Sequence, residues 1–386
     1  DSPQRLEPIT LSWQMPAIEL HHRTCCEQRT KLCGMGRPRT RSSAARNAPV
    51  WSMFNYHGTN ALTFAVDDAI NTCELSAAHS EELASLTCRI ELLADPTPAM
   101  QTYHATVRFD RKHAPYQAIL RRVSDWWASI DRYKPAAVPE HARLPMYSTW
   151  YSFHQNITPE AIEKQCELAK RLGMDSVIVD DGWQTDDNSR GYAYCGDWEP
   201  VPGKFPDMRA HVDRVHAMGM KYLLWYSVPF VGIHSKAYER FKGKFLDPDP
   251  TGKRKWFILD PRFAEVREYL INIYENALRQ FDLDGFKLDF VDCFAARPET
   301  RDTFGEGRDM DSVAEAADRL LTDIMARLRA IKPDVMIEFR QSYTGPAMRK
   351  YGNIFRVGDE PNHAAGNRVG SMLLRALSGN TAVHSD

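Results

Sequence analysis

From Pro145 onward, short runs of aliphatic and β-branched residues alternate with longer stretches in which apolar residues recur every three or four positions. The strand-like runs end at Thr149-Trp150, Val177-Ile178-Val179-Asp180-Asp181, Leu223-Leu224-Trp225-Tyr226, Phe286-Lys287-Leu288-Asp289-Phe290, Val335-Met336-Ile337-Glu338-Phe339, Ile354-Phe355-Arg356-Val357-Gly358-Asp359 and Ala382-Val383-His384. Amphipathic helical patterns fall between them, among them Pro159 to Leu172, Met208 to Met218, Phe263 to Gln280 and Ser312 to Ile331. Such alternation specifies a parallel sheet, because each helix carries the chain back to start the next strand in the same direction. Seven successive strands favour a closed barrel over an open doubly wound sheet, and no glycine fingerprint of a dinucleotide fold follows the first strand. The expected fold class is α/β: a (β/α)8 TIM barrel, incomplete at its C-terminus, behind an antiparallel β-sandwich.

A chain of 386 residues exceeds what one core usually organises, so a second, smaller unit is expected. Before Pro145 the rhythm is that of short alternating strands, such as Leu62-Thr63-Phe64-Ala65-Val66, Thr87-Cys88-Arg89-Ile90-Glu91-Leu92 and Ala105-Thr106-Val107-Arg108-Phe109. Residues 1–142 therefore read as a β-sandwich domain and 143–386 as the barrel domain. Residues 23–47, rich in Arg, Ser and Gly with few aliphatics, read as a long loop or disorder, Ala114 to Ile130 as a helix, and Pro135 to Pro145 as a linker. The chain begins at Asp1 rather than Met and ends just after the seventh strand. The two readings left open are a fragment whose eighth strand lies beyond Asp386 and a barrel incomplete as given, and an unclosed barrel of the second kind is expected to be weakly stable.

The charge balance, 49 Lys+Arg against 51 Asp+Glu for a net of −2, argues against nucleic acid or a membrane surface as partner and favours a neutral small molecule or oligosaccharide. Nine Trp suit the apolar faces of sugar rings, although Trp more commonly serves the core. Eight cysteines show no zinc-ribbon spacing, which points to reduced thiols and a cytoplasmic location. The run His21-His22-Arg23-Thr24-Cys25-Cys26, with Cys33 beyond it, recurs at no ligand interval and reads as an irregular segment rather than a metal site. No long apolar run and no signal-peptide pattern is present, and neither a cofactor nor a metal is expected. Homo-oligomerisation is left open.

Functional groups of parallel barrels gather at the carboxyl ends of the strands, where the loops share one mouth. Here Asp180 and Asp181 close the second strand, Trp225 the third, Lys287 and Asp289 the fourth, and Asp359 the sixth. A lone Asp at such a place is most simply a helix cap or turn residue, but several strand ends together point to a site. Two carboxylates facing across a pocket suit glycoside cleavage, one attacking the anomeric carbon and the other protonating the leaving oxygen. Lys287, two residues before Asp289, points to the same side of its strand and is expected to keep Asp289 ionised. Asp180 and Asp181 are assigned to hydrogen bonds with adjacent sugar hydroxyls.

With Asp-Asp-Gly-Trp at 180–183, Lys-Leu-Asp at 287–289, and Gly-Asp-Trp-Glu-Pro at 196–200 ahead of Phe205-Pro206, the chain resembles glycoside hydrolase family 36 over residues 145–386. The stretch from Ala48-Pro49-Val50-Trp51-Ser52 to Asp67-Asp68 extends the likeness into the first domain. The resemblance implies an α-galactosidase acting on terminal α-galactosides of the raffinose type, with retained configuration and no metal. It further implies Asp289 as nucleophile and Asp359 as acid/base. Asp180 and Asp181 would lie on the 4- and 6-hydroxyls, Trp225 against the sugar, and Arg254 and Lys287 on further hydroxyls. Two segments depart from the family pattern. Tyr226-Ser227-Val228-Pro229-Phe230 stands where relatives have Glu-Pro-Glu, and Arg340-Gln341-Ser342-Tyr343-Thr344-Gly345-Pro346 replaces a Gly-rich, Cys-containing loop. The second departure leaves open the choice among galactose, its 2-acetamido analogue (an α-N-acetylgalactosaminidase) and a pentose.

Two rival readings accompany this one. A galactosyl transferase of the raffinose- or stachyose-synthase kind would use the same two Asp, and an inactive carbohydrate-binding protein would need neither. A metal-dependent hydrolase is disfavoured because no His-x-His pair ends a strand.

Overall fold

Helix starts follow from local chemistry. Thr158 caps Pro159–Arg171 by accepting from the Ala161 N–H, with Pro159 at the first helical position, where its missing N–H costs nothing. Asp207 caps Met208–Ala217, and Ser312 caps Val313–Ile331, in each case through the N–H three residues on. The computed structural model describes residues 2–25, 31–33, 38–247, 249, 251–297, 303–340, 344–359 and 361–386. With Ala264–Phe281 and Ala364–Leu377, these helices return the chain between strands of one seven-stranded parallel sheet.

The strands of that sheet lie side by side in chain order: Met146–Ser148, Ser176–Val179, Lys221–Ser227, Gly285–Asp289, Met336–Arg340, Ile354–Arg356 and Ala382–His384. Strand registers put Ile178 beside Leu223 and Ile354 beside Ala382. Together with Met336 and Ala142 these side chains form a small apolar cluster. Two residues further along each strand, on the same face by the period-two alternation, stand Asp180, Trp225, Lys287, Glu338 and Arg356. One face of the sheet thus changes within a single step from an apolar floor to a charged layer.

The N-terminal residues form two antiparallel sheets. One orders Ile9–Pro16, Ser85–Leu92, Cys73–Ser80 and Arg39–Ser42; the other orders Lys31–Leu32, His22–Thr24, Val50–Phe54, Asn60–Val66 and Val107–Asp110. Trp51 and Phe64 from one sheet and Leu75, Cys88 and Ile90 from the other share a core. The helix Tyr116–Ala128 packs between this region and Ala364–Leu377, joined by Val50, Leu120, Trp127 and Leu373.

Several boundaries differ from those expected. Among the described residues of 23–47 the chain carries short strands, His22–Thr24, Lys31–Leu32 and Arg39–Ser42. In Arg39–Ser42 the arginines are exposed while Thr40 and Ser42 are buried, so the alternation is carried by small polar residues that an apolar pattern does not register. Cys26 of the paired-ligand run lies outside the described residues. The first parallel strand stops at Ser148, and Trp150–Phe153 forms a helical turn. The third continues past Trp225 to Ser227, and the sixth ends at Arg356, leaving Asp359 in the loop beyond. Of the departing segment, Tyr226 and Ser227 end the third strand and Phe230 begins a two-stranded ribbon, Phe230–Gly232 with Trp256–Ile258.

Candidate active site

The charged layer is built from three linked clusters. Lys287 Nζ bonds Asp180 Oδ2 at 2.6 Å, and both side chains are buried. Asp180 is fixed further by the Asp181 N–H on its Oδ1 at 2.9 Å, while its own N–H reaches Thr149 Oγ1 at 3.0 Å. Such a pair is retained in an interior only when each partner is satisfied by the other and by further hydrogen bonds.

Asp289 ends the fourth strand and is almost fully buried. Its Oδ2 accepts from Trp225 Nε1 at 3.1 Å; its Oδ1 accepts from Arg340 Nε at 2.7 Å and from the Phe290 N–H at 2.8 Å. Burial pushes this carboxyl up, but the Arg340 and Lys287 charges and the bonds from Arg340 and Trp225 outweigh it and hold it below the ordinary carboxylate value. The expectation that Lys287 keeps Asp289 ionised is therefore refined. The hydrogen bond of Lys287 goes to Asp180, and Arg340 is the stronger influence on Asp289.

Asp359 forms the third cluster. Its Oδ2 accepts from Arg340 Nη1 at 2.9 Å and its Oδ1 from Arg356 Nη2 at 2.7 Å, with the Tyr151 hydroxyl at 3.4 Å. Its side chain is 34% exposed, so water reaches it. Burial again raises the carboxyl, and the two guanidinium charges bring it below its ordinary value. Arg340 thus touches both Asp289 and Asp359, and one guanidinium spanning two carboxylates keeps their oxygens within about 8 Å of each other. Arg356 also bonds Glu338 Oε1 at 3.3 Å and pairs with Asp386, whose Oδ2 accepts from Tyr151 at 2.6 Å.

Asp181 faces a different neighbourhood from Asp180. Gln155 Nε2 and Gln184 Nε2 each donate to it at 2.7 Å, and both amides are themselves oriented, Gln155 by the Arg190 N–H and Gln184 by the Gly182 N–H. Burial, with Asp180 adding to it, pushes the Asp181 carboxyl up to about 7 despite those two donors. The next residue, Gly182, has φ +122°, and a Cβ there would lie 2.5 Å from the Gln155 carbonyl oxygen, so only glycine permits this turn.

Aromatic rings wall one side. Trp225 lies near-parallel to Tyr192 at 6.5 Å between centroids and edge-on to Trp198 at 5.9 Å; Phe290 stacks on Phe230 at 4.7 Å. Trp183 of the Asp-Asp-Gly-Trp motif supports this wall from behind by donating to the Trp225 carbonyl at 2.9 Å.

Of the residues expected from sequence, Asp180, Lys287, Trp225, Asp289 and Asp359 fall into linked contacts, and Asp181 adjoins them. Arg254 is paired with Asp247, its charge lies 5.5 Å from the Trp256 ring centroid, and it reaches the wall through Trp256, whose ring meets Phe230 at 4.3 Å and Tyr192 edge-on at 5.9 Å. Gln341, Ser342 and Tyr343 of the departing loop lie outside the described residues. Arg340, Glu338, Arg356, Tyr151, Gln155 and Gln184 were not read as site residues. The first three were accessible from alternation, since Glu338 and Arg340 share a face with Lys287 and Arg356 in the strand register. Among the described residues no three His, Cys, Asp or Glu side chains are grouped to hold a metal ion, and no helix is long and apolar enough to cross a membrane.

Known proteins are similar to the chain in sequence over part of its length and in fold. An α-galactosidase of Lactobacillus acidophilus is 25% identical over 231 residues, which cover 57% of this chain and 30% of that protein. One of Pediococcus pentosaceus is 27% identical over 157 residues, covering 39% and 22% respectively. Among solved structures, the α-galactosidase of Lactobacillus brevis superposes with a TM-score of 0.68 at 16% identity, over 98% of this chain and 58% of that one. An α-galactosidase of Geobacillus stearothermophilus in complex with raffinose does so with a TM-score of 0.67 at 14% identity, over 97% and 59%. The chain therefore spans less than a third of these curated relatives and under two thirds of the solved ones. The melibiase family signature matches residues 129–348, more than half of the chain and the stretch holding the first to fifth parallel strands, and the chain belongs to that family.

Proposed function

We propose that this protein is a retaining exo-α-galactosidase that hydrolyses terminal α-galactosides of the raffinose type. The observation that carries the reading is the single guanidinium of Arg340 bonded to both Asp289 and Asp359, which brings the two carboxyl groups to one place, as a nucleophile and an acid/base acting on one scissile bond must be; direct attack calls for a separation of about 5–5.5 Å. The solved relative in complex with raffinose supports the substrate class. The seven parallel strands are read as part of a (β/α)8 barrel formed by residues 143–386, with residues 1–142 as a β-sandwich domain. The seven described cysteines stand as free thiols, which supports a cytoplasmic location.

In this mechanism Asp289, ionised by its cationic surroundings, attacks the anomeric carbon as the bond to the leaving oxygen breaks, and Asp359 gives that oxygen a proton. Water then attacks the glycosyl-enzyme, Asp359 takes its proton, and Asp289 is released. Trp225 holds the Asp289 carboxylate in orientation and forms the apolar wall for the sugar. Asp180 and Asp181, the latter aimed by two fixed amides, accept from hydroxyls, and Lys287 and Arg254 are assigned to further hydroxyls.

The test is a panel of aryl α-glycosides with the wild type, Asp289→Asn and Asp359→Asn. Asp289→Asn is expected to abolish turnover of every substrate. Asp359→Asn should lose about 100- to 10,000-fold on poor leaving groups and far less on activated ones, which need no acid. The first-formed sugar, followed by NMR, should be the α anomer. Release of β-galactose, or full activity in Asp289→Asn, would overturn the reading.

A further inference from the structure

The reacting atoms of a glycoside, the anomeric carbon and the leaving oxygen, must lie between the nucleophile and the acid/base. In this structure the Arg340 guanidinium occupies that position, its Nε on Asp289 and its Nη1 on Asp359. The side chain is anchored by its own strand, Met336–Arg340, and lies with its charge 5.2 Å from the Phe290 ring centroid. Both the sugar and the guanidinium need the hydrogen-bonding edge of Asp359, and only one can have it at a time.

We propose that Arg340 is a positioning residue that clamps Asp289 and Asp359 together and yields Asp359 to the leaving oxygen as the sugar seats, so that Asp359 gains its catalytic proton on binding. The inference rests on the galactosidase reading. Charged and titratable groups face Asp359 from several elements: Arg340 on the fifth parallel strand, Arg356 on the sixth, Lys287 on the fourth, Tyr151 on the helical turn after the first, and Asp386 after the seventh. Arg356 divides its charge among Asp359, Glu338 and Asp386 and is tied to all three, whereas Arg340 can leave Asp359 and still hold Asp289 through Nε. Release of Arg340 therefore removes the largest influence favouring ionised Asp359 and leaves the nucleophile's own partner in place. The proton balance closes. Asp359 takes one proton from solvent as sugar binds and passes it to the oxygen leaving the anomeric carbon while Asp289 forms its bond there. It recovers a proton from the water that breaks the Asp289 ester.

The experiment is calorimetric titration of galactose into the protein at about pH 5.5 in two buffers of different ionisation enthalpy, which counts protons taken up per sugar bound. Wild type is expected to take up a substantial fraction of a proton, and Arg340→Gln less than half as much. Arg340→Lys, whose point charge cannot span both carboxylates, should fall below wild type as well. In parallel, the alkaline limb of kcat/KM, which reports the free enzyme, should move up by about one pH unit in Arg340→Gln while that of kcat moves little. Equal proton uptake in wild type and Arg340→Lys, or an unmoved kcat/KM profile in a folded Arg340→Gln, overturns the proposal. Galactose that fails to bind wild type at all overturns the galactosidase reading itself, a distinct outcome.

Discussion

Replacing Lys287 with methionine keeps the aliphatic stem but leaves Asp180 without its cation. The Nζ–Oδ2 distance is 2.6 Å and neither side chain is more than 6% exposed, so water cannot take over the lost interaction. Removing one partner of a buried pair costs about 3–5 kcal/mol, because the remaining charge stays desolvated. The Asp181 N–H still donates to Asp180 at 2.9 Å, which places the expected loss near the lower end, about 3 kcal/mol. The partner variant Asp180→Asn should be destabilised too. The double variant Asp180→Asn/Lys287→Met should be destabilised by clearly less than the sum, with an interaction term of about 2 kcal/mol. Urea unfolding of the four proteins at pH 7, with equal m-values as the sign of an unchanged transition, measures the cycle. An interaction term below about 0.5 kcal/mol would show that the two charges are not coupled and that the layer is not held as described.

Three further outcomes follow from the site. Trp225→Phe removes one hydrogen bond to ionised Asp289, so kcat/KM for an aryl α-galactoside should fall about 10- to 100-fold; a change below threefold would contradict the role of that bond. Asp181 is held at about 7 against an ordinary 3.8, so the stability it contributes is complete below about pH 4 and is lost as pH rises through 7. Asp181→Asn should therefore gain on wild type by up to about 4 kcal/mol between pH 4.5 and 8.5, a difference that parallel thermal melts would reveal or refute. Gly182→Ala forces a Cβ against the Gln155 backbone at positive φ and should cost about 2–4 kcal/mol, with KM rising as Gln155 and Asp181 shift; wild-type KM in that variant would argue against the coupling.

The elements legible in the sequence were those whose pattern is apolar. Asn60–Val66, Pro159–Arg171 and Val313–Ile331 announce themselves by periodicity and caps, and the parallel strands by their aliphatic centres. Arg39–Ser42 was hidden because its buried positions are Thr and Ser, and the ribbon Phe230–Gly232 with Trp256–Ile258 because its strands are too short for any period to show. At the site, motif residues at strand ends were readable one by one, but their partners were not. Arg340 was noticed only as part of a loop that departs from its relatives. That it reaches across to two carboxylates, one nineteen positions away and the other fifty-one, is a property of the sheet register. Arg254 was suggested by likeness alone, and its pairing with Asp247, seven positions earlier, is not marked by any periodicity.

The apolar floor of Ile178, Leu223, Met336, Ile354 and Ala382 has a bearing on how this site answers to its surroundings. Mobile counter-ions weaken charge interactions only where they can approach, over a Debye length of about 8 Å at physiological ionic strength. The Asp180–Lys287 and Glu338–Arg356 pairs rest on hydrocarbon below and protein on either side, out of their reach. Turnover of a neutral sugar should accordingly be almost indifferent to added sodium chloride, while the exposed ion pairs of the outer helices, such as Arg319 with Asp323, fade as it is raised.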